Sequence, residues 1–207
     1  MKNYVSNENE SVKMFNSKFL EFFTHVHPII PVVIFLPAII YFVYFSFIVD
    51  GMNFLIFIVL YLFGWFVWSF VEYFLHRFVF HIKPSNKIKQ YIYFMIHGVH
   101  HDYPNDKTRL VMVPIVSIPL AIIFYILFEF ILKKNVYMFF PGFLTGYLFY
   151  DMTHYAVHHF NFKNKIFIAL KKHHYRHHYK DSKKYFGVSS PLWDYVFLTN
   201  ERSIDSK

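Results

Sequence analysis

Hydrophobic residues along this chain come in long uncharged runs rather than in the alternating or amphipathic patterns of soluble domains. Two runs, residues 29–49 and 51–71, are each 21 residues long, and a membrane-spanning helix needs about 20 apolar residues. A third run covers 110–128, and a shorter fourth covers 135–150. The pattern therefore predicts an all-α integral membrane protein with four transmembrane helices.

Composition supports this class, since 56% of the residues are hydrophobic and 24% are aromatic. Cysteine is absent, which excludes thiolate zinc sites, cysteine-ligated iron–sulfur clusters and disulfides. The segment before Ile29 is polar, unlike a cleaved signal peptide, so we expect the first span to remain in the mature protein. We predict a cytoplasmic N-terminal segment, 1–28, followed by a single membrane-embedded domain, 29–207.

Positive charge predicts the orientation of the spans. All but two of the 21 Lys and Arg residues lie before Ile29, between His76 and Arg109, or after His154. The other two, Lys133 and Lys134, lie at the tip of the second predicted hairpin. By the positive-inside rule, both termini and the histidine-rich segments face the cytoplasm. The net charge of +8 is then explained by topology and by anionic lipid headgroups, and nucleic-acid binding is not expected.

Twelve of the 14 histidines fall into four short clusters. The clusters contain His76 and His81; His97, His100 and His101; His154, His158 and His159; and His173, His174, His177 and His178. Imidazole binds iron, zinc, copper or nickel, whereas magnesium and calcium prefer oxygen ligands. Positions i, i+3 and i+4 share one helical face, so the second and fourth clusters each present three imidazoles in one direction. The spacing predicts sites for more than one transition-metal ion, and isolated His25 and His27 are expected as polar interface residues.

The helices should carry these clusters out of the lipid. Because the fourth run is short, we expect its helix to continue into the cytoplasm with His154 and His158, and the second span should carry His76 likewise. Segments 87–97 and 161–172 mix apolar side chains with lysines, which predicts helices that lie on the membrane surface. The spans would thus support a cytoplasmic, histidine-rich di-metal cap.

Carboxylates near the clusters are candidates to orient the ligands. Glu72 precedes His76 by four residues and Asp151 precedes His154 by three, so each could accept an imidazole N–H on its own helical face. For Glu72, a solvated helix end is the alternative. Asp194 could play a similar part.

The histidine motifs resemble those of the fatty acid hydroxylase superfamily, and most of all those of fatty acid 2-hydroxylases, which act on acyl chains of sphingolipids. The motifs are His76-x4-His81, His97-Gly98-Val99-His100-His101, the segment from Tyr150 to His159, His174-Tyr175-Arg176-His177-His178, and a tail from Phe186 to Phe197. The resemblance covers nearly all of the chain after about residue 20.

The resemblance implies two metal ions with five histidine ligands each. One ion would bind His76, His81, His97, His101 and His177, and the other would bind His100, His154, His158, His174 and His178. His159 and His173 match no ligand, and we expect both to support the ligands instead.

The resemblance also implies a non-haem di-iron monooxygenase that hydroxylates carbon 2 of a fatty acid or sphingolipid N-acyl chain with dioxygen. Iron is expected as the functional metal because zinc, which can occupy such sites, has no redox chemistry. A lipid desaturase, a sterol or carotenoid hydroxylase, and a metal-binding membrane protein without catalysis stay open as alternatives. The active site would face the cytoplasm, at the endoplasmic reticulum of a eukaryote or the inner membrane of a bacterium.

The reaction needs electrons that this chain has no group to deliver repeatedly. Some members of the superfamily carry a fused cytochrome b5 domain with a His-Pro-Gly-Gly motif; here His27-Pro28 is followed by two isoleucines, and we expect no such domain. A separate donor of the cytochrome b5 or ferredoxin type is therefore expected. Its acidic face would dock on the basic cap around Lys163, Lys171, Lys172, Lys183 and Lys184.

Overall fold

The computed structural model describes residues 4–82 and 85–200. All regular structure in these residues is helical, so the predicted all-α class is confirmed. The helices are α1 (Lys18–Phe22), α2 (Ile29–Tyr44), α3 (Phe54–Phe74), α4 (Lys87–Tyr93), α5 (Val99–Asp102), α6 (Pro114–Leu132), α7 (Val136–His159), α8 (Lys165–Tyr179) and α9 (Leu192–Val196). Turns of π-helix extend α2 over Phe45–Val49, α3 over Leu75–Phe80 and α4 over Phe94–Gly98.

Three helical segments in the described residues are long and apolar enough to cross a membrane, namely Ile29–Val49, Phe54–Phe80 and Pro114–His159. The third segment contains both α6 and α7. The chain turns between them at Lys133, which has a φ of 53°. These two helices pack antiparallel, with Phe124 against Phe143 and Phe128 against Phe139. The third and fourth predicted runs therefore form one helical hairpin.

The ends of the helices differ from the predicted runs for local reasons. Helix α3 begins at Phe54, and not at residue 51, because the Asn53 side chain accepts the N–H groups of the first turn. Helix α6 begins at Pro114, where proline is favoured because the first helical N–H has no partner within the helix. Helix α7 continues through His159, which confirms the predicted extension past the apolar run.

Helix α7 lies at the centre of the apolar core and contacts α2, α3 and α6. It is antiparallel to α2, since Phe35 contacts Tyr147 while Phe42, two turns later, contacts Phe140. It is parallel to α3, since Tyr61 lies against Gly142 while Trp68, two turns later, lies against Gly146. Because α3 and α7 run in the same direction, the histidines at their C-terminal ends lie on the same side of the molecule.

Glycines allow α3 and α7 to approach until their backbones touch. A Cβ atom on Gly142 would lie 1.9 Å from the Tyr61 carbonyl oxygen, and one on Gly64 would lie 2.1 Å from that of Phe139. Small residues give such close packing between membrane helices. The α3–α7 pair therefore forms a rigid support for the histidines beyond it.

The N-terminal segment before α1 packs against the histidine-rich end. The N–H groups of Val5 and Ser6 donate to the Asp102 carbonyl, at 2.9 and 3.1 Å. The buried Arg109 guanidinium donates to the Val12 carbonyl and to the Glu21 carboxylate. These bonds tie the N-terminal segment and α1 to the end of α5 and the loop after it.

Candidate metal centre

The structure brings ten of the histidines together from four helical elements. They come from α3 and its π-helical extension, from the extension of α4 together with α5, from the end of α7, and from α8. One nitrogen from each residue converges into two groups, in which all ligand atoms lie within 4.8 Å of one another. Cluster A contains His76, His81, His97, His101 and His177, and cluster B contains His100, His154, His158, His174 and His178.

The convergent atoms of cluster A are Nε2 nitrogens at close range. The His97 Nε2 lies 3.0 Å from that of His76 and 3.1 Å from that of His101. The His177 Nε2 lies 2.9 Å from that of His81 and 3.1 Å from that of His101. Four of these side chains are buried, and His81 is half-buried.

Cluster B repeats this arrangement and is wholly buried. Its Nε2 atoms lie 2.9 Å apart between His100 and His154, 2.9 Å apart between His158 and His174, and 3.0 Å apart between His174 and His178. The two clusters adjoin, because the rings of His101 and His178 stack with centroids 4.3 Å apart.

These separations fit a transition-metal ion at the centre of each cluster. Metal–imidazole bonds are about 2.0–2.1 Å long, so two ligands at right angles place their nitrogens about 2.9 Å apart. The closest pairs lie at 2.9–3.1 Å. Without a proton or a metal ion between them, two nitrogens at this distance would be buried polar atoms with no partner, which is rare in proteins.

Electrostatics also favours metal binding by the cluster histidines that lie outside the apolar helices. Burial, and then the neighbouring imidazoles, lower the pKa of each of these side chains. They are His81, His97, His100, His101, His174, His177 and His178. The neutral imidazole is the form that binds a metal ion.

The interval of five between His76 and His81 has a structural explanation that sequence reasoning missed. Five residues do not return to the same face of an α-helix, but in a π-helix the N–H of residue i+5 bonds to the carbonyl of residue i. The His81 N–H donates to the His76 carbonyl at 3.2 Å, which closes this wider turn. The π-helical turn therefore directs both imidazoles into cluster A.

Four histidines lie outside both clusters. The ring of His173 pairs with Asp194, at 2.9 Å from Nε2 to Oδ2. His159 packs on Tyr155, with ring centroids 4.7 Å apart. His25 bonds to Thr108 and Glu21, and exposed His27 caps the start of α2.

The Glu72 carboxylate binds the backbone of the C-terminal segment. It accepts the N–H groups of Val188 and Ser189, at 2.7 and 2.8 Å, and the Ser189 hydroxyl. Glu72 is 3% exposed, so the alternative of a solvated helix end does not hold. Asp151 likewise lies beside backbone, with the Met112 N–H 3.3 Å from Oδ1.

Asp194 is fully buried and organises the segment that follows α8. Its two carboxylate oxygens accept from the N–H groups of Phe186 and Gly187, from the Thr199 hydroxyl and from His173. Burial opposes ionisation of Asp194, but the hydrogen bonds from His173, Thr199 and Gly187 outweigh it and lower the pKa. The carboxylate is thus charged and holds this segment against the clusters.

Two backbone carbonyls of that segment orient ligand imidazoles. The Phe186 carbonyl accepts from Nδ1 of His76, and the Lys184 carbonyl accepts from Nδ1 of His177 at 2.7 Å. Gly187 is required directly after Phe186, because a Cβ atom there would lie 2.0 Å from the Ser190 carbonyl oxygen. Sequence reasoning missed these contacts, since no side-chain pattern marks a backbone acceptor.

A basic groove runs along the outer face of α8, with a volume of about 690 Å³. Its lining contains no carboxylate and consists of Asn161, Phe162, Lys163, Ile168, Lys171, Lys172, Tyr175, Arg176, Tyr179 and Lys180. The Tyr175 ring lies between the groove and cluster B, 6.1 Å from the His158 ring. Of the predicted docking lysines, Lys183 and Lys184 lie outside this groove.

Comparison with known proteins identifies relatives. The sequence model of the family described as "Fatty acid hydroxylase" matches residues 61–199. A "Fatty acid 2-hydroxylase" of Mus musculus is 41% identical over 148 residues, which are 70% of this chain and 40% of the relative. A "Dihydroceramide fatty acyl 2-hydroxylase FAH2" of Arabidopsis thaliana is 36% identical over 195 residues, 92% of this chain and 80% of the relative.

A solved structure is also similar. It is described as "Full length scs7p (only hydroxylase domain visible)", has 38% sequence identity and a TM-score of 0.84, and covers 92% of this chain and 73% of that chain. The chain spans about 40% of the length of the first curated relatives that it matches. The family match covers more than half of the chain and includes both histidine clusters, and the chain therefore belongs to the fatty acid hydroxylase family.

Proposed function

We propose that this protein is a membrane oxygenase that hydroxylates carbon 2 of the acyl chain of a fatty acid or sphingolipid. The observation that carries the proposal is the pair of adjoining five-imidazole clusters at the ends of long apolar helices. The names of the relatives favour acyl hydroxylation over desaturation and over sterol or carotenoid hydroxylation, which the histidine motifs alone leave open.

Each cluster would hold one iron ion. The iron pair would supply the redox chemistry that activates dioxygen toward an unreactive C–H bond, which no side chain supplies. The protein contributes ten imidazoles in fixed positions and a buried environment that keeps water from the reacting atoms. Zinc fits the same nitrogen ligands but has no redox chemistry, so the zinc-loaded protein should be inactive.

We further propose that the helices cross the membrane four times, with both termini and the clusters in the cytoplasm. The hairpin of α6 and α7 and the distribution of Lys and Arg support this topology. The acyl chain would then lie along the apolar helices, with its head group at the cytoplasmic cap and carbon 2 beside the clusters. Tags at the two termini should be accessible from the cytoplasm and a reporter near Asp50 should not; the opposite accessibility would overturn the orientation.

The experiment on function uses the purified iron-loaded protein, isotopically labelled dioxygen, a reductant, and either a free fatty acid or an N-acyl ceramide. We expect a 2-hydroxyacyl product with one labelled oxygen atom, identified by mass spectrometry. A new double bond would indicate a desaturase, and the absence of any oxygen-dependent product would indicate a metal-binding protein without catalysis. A matched pair of variants tests the clusters. His100→Ala, which removes a cluster imidazole, should abolish the product, whereas His25→Ala, outside both clusters, should leave most of it.

We propose that an acidic electron carrier of the cytochrome b5 or ferredoxin type docks on the basic groove of α8. Hydroxylation consumes two electrons beyond those of the C–H bond, so repeated turnover requires a donor. The cationic lining suits an acidic partner, and Tyr175 provides a short path from the groove to His158. Lys172 is exposed, and Lys172→Glu should slow turnover when the donor is limiting, to an extent that depends on salt concentration. The control is Lys134→Glu at the tip of the α6–α7 hairpin. Equal slowing by both variants would show that the groove is not the docking site.

A further inference from the structure

The two clusters differ in how the second nitrogen of each imidazole is bound. In cluster A, Nδ1 of His76 donates to the Phe186 carbonyl, and Nδ1 of His177 donates to the Lys184 carbonyl. Such outer partners set the tautomer, orient the ring and make the ligand nitrogen more basic. Both carbonyls belong to one segment, residues 184–199, which we call the anchor segment.

The anchor segment is itself held firmly. Asp194 accepts the N–H groups of Phe186 and Gly187 on separate oxygens, at 2.8 and 2.7 Å. Glu72, on α3, accepts the N–H groups of Val188 and Ser189. The same helix continues into the π-helical turn that carries His76 and His81, so the anchor segment and two ligands of cluster A are built on one support.

Cluster B has fewer partners of this kind, since the backbone of Leu110 bonds to one of its imidazoles, that of His154. Four of its five imidazoles have a buried Nδ1 that makes no hydrogen bond within the described part of the chain. They are His100, His158, His174 and His178. No side-chain or backbone acceptor among the described residues orients these four rings or makes their ligand nitrogens more basic.

From this contrast we infer that the two sites bind metal with unequal affinity, and that the anchor segment makes cluster A the tighter site. The inference rests on the proposed two-metal centre. Loss of an outer partner typically weakens metal binding by about 10–100-fold. Cluster A has two ligands with such partners, so we expect its dissociation constant to be at least about tenfold lower. Metal would then fill cluster A first and leave cluster B first.

The test is an equilibrium titration with zinc(II) alone. Purified metal-free protein is dialysed against chelator-buffered zinc over a range of free concentrations, and bound zinc per chain is counted by elemental analysis. Equilibrium is required because cluster B is wholly buried whereas His81 of cluster A is half-buried, and this difference alters the rates of entry and release. We expect two steps, separated by at least about tenfold in free zinc.

Single-ligand variants assign the steps. His158→Ala should remove the weak step and leave the tight one, whereas His101→Ala should remove the tight step. If His158→Ala lost the tight step instead, cluster B would be the stronger site and the inference would be overturned.

A matched pair of carboxylate variants tests the anchor segment. In Asp194→Asn, either orientation of the amide places an NH₂ group against the N–H of Phe186 or of Gly187, so one loop bond is lost. In Glu72→Gln, the amide oxygen can still accept both loop N–H groups, and the NH₂ group can donate to the Ser189 hydroxyl. We expect Asp194→Asn to weaken the tight step by at least about tenfold while leaving the weak step unchanged. Glu72→Gln should leave both steps close to those of the unmodified protein.

The outcomes separate this inference from the proposed function. Fewer than two bound zinc ions in the unmodified protein would contradict the two-metal centre itself. Two ions bound in a single step, or equal weakening of both steps by Asp194→Asn, would overturn only the inequality of the sites. If Asp194→Asn does not fold, Thr199→Val removes one donor to the same carboxylate and should shift the tight step in the same direction by less.

Discussion

Glu72→Ala should release the anchor segment from α3, because the Glu72 carboxylate accepts hydrogen bonds from the backbone and a serine hydroxyl of that segment. Its removal leaves the buried N–H groups of Val188 and Ser189 without an acceptor. Each such group costs about 1–3 kcal/mol, so local opening of the segment should become easier by about 2–6 kcal/mol. The lower limit corresponds to a roughly 30-fold increase in the opening equilibrium.

Hydrogen–deuterium exchange read by mass spectrometry measures this opening. Peptides from 184–199 should exchange at least about 30-fold faster in Glu72→Ala than in the unmodified protein. A peptide from α2, which lies outside this hydrogen-bond network, is the internal control. The matched variant Glu72→Gln keeps an oxygen acceptor in place, so its exchange should stay within a few-fold of the unmodified protein. Equal acceleration by both substitutions would refute the reasoning, because it would mean that the negative charge, and not the acceptor geometry, holds the segment.

Three further predictions follow from the same structure. His158→Ala should bind one metal ion fewer than the unmodified protein, whereas His159→Ala, outside both clusters, should retain both ions with reduced turnover; elemental analysis with a turnover assay distinguishes them. Gly142→Ala should destabilise the α3–α7 pair by about 1–3 kcal/mol through overpacking, since its Cβ would meet backbone at 1.9 Å; an unchanged melting temperature would contradict this. Burial opposes ionisation of Glu21, but hydrogen bonds, first from the Phe15 N–H and then from His25 and the Met14 N–H, lower its pKa. A carboxylate whose pKa is lowered by folding stabilises the folded state at higher pH. The N-terminal segment should therefore attach less firmly as the pH falls below the ordinary pKa range of a glutamate. Limited proteolysis at decreasing pH measures this loss of attachment.

The all-α class, the apolar helices and the histidines of the clusters could be predicted from the sequence because each depends on local patterning. A run of about 20 uncharged apolar residues has few stable conformations other than a helix in lipid. Spacings of three and four within one helix place imidazoles on one face whatever lies around them. The extension of α7 through His159 follows from the same short-range reasoning.

Other properties were decided by contacts between residues far apart in the chain. The wide turn that closes His81 onto His76 is a π-helix, which the residue spacing alone did not predict. Glu72 was a candidate to accept an imidazole N–H. In the structure it accepts instead the backbone N–H groups of Val188 and Ser189, which lie more than 100 residues later in the chain.

By itself the sequence determined which residues are apolar enough for lipid and which carry nitrogen ligands, because these are properties of single residues and of neighbours along one helix. The tertiary structure decided which imidazoles have a backbone carbonyl behind them. Local patterning left open which imidazoles share a cluster, and the expected division came from the family resemblance. Helix α8 shows the reason: His177 enters cluster A while His174 and His178 enter cluster B. A division of this kind depends on how four helical elements meet in space, and no periodicity within one of them encodes it.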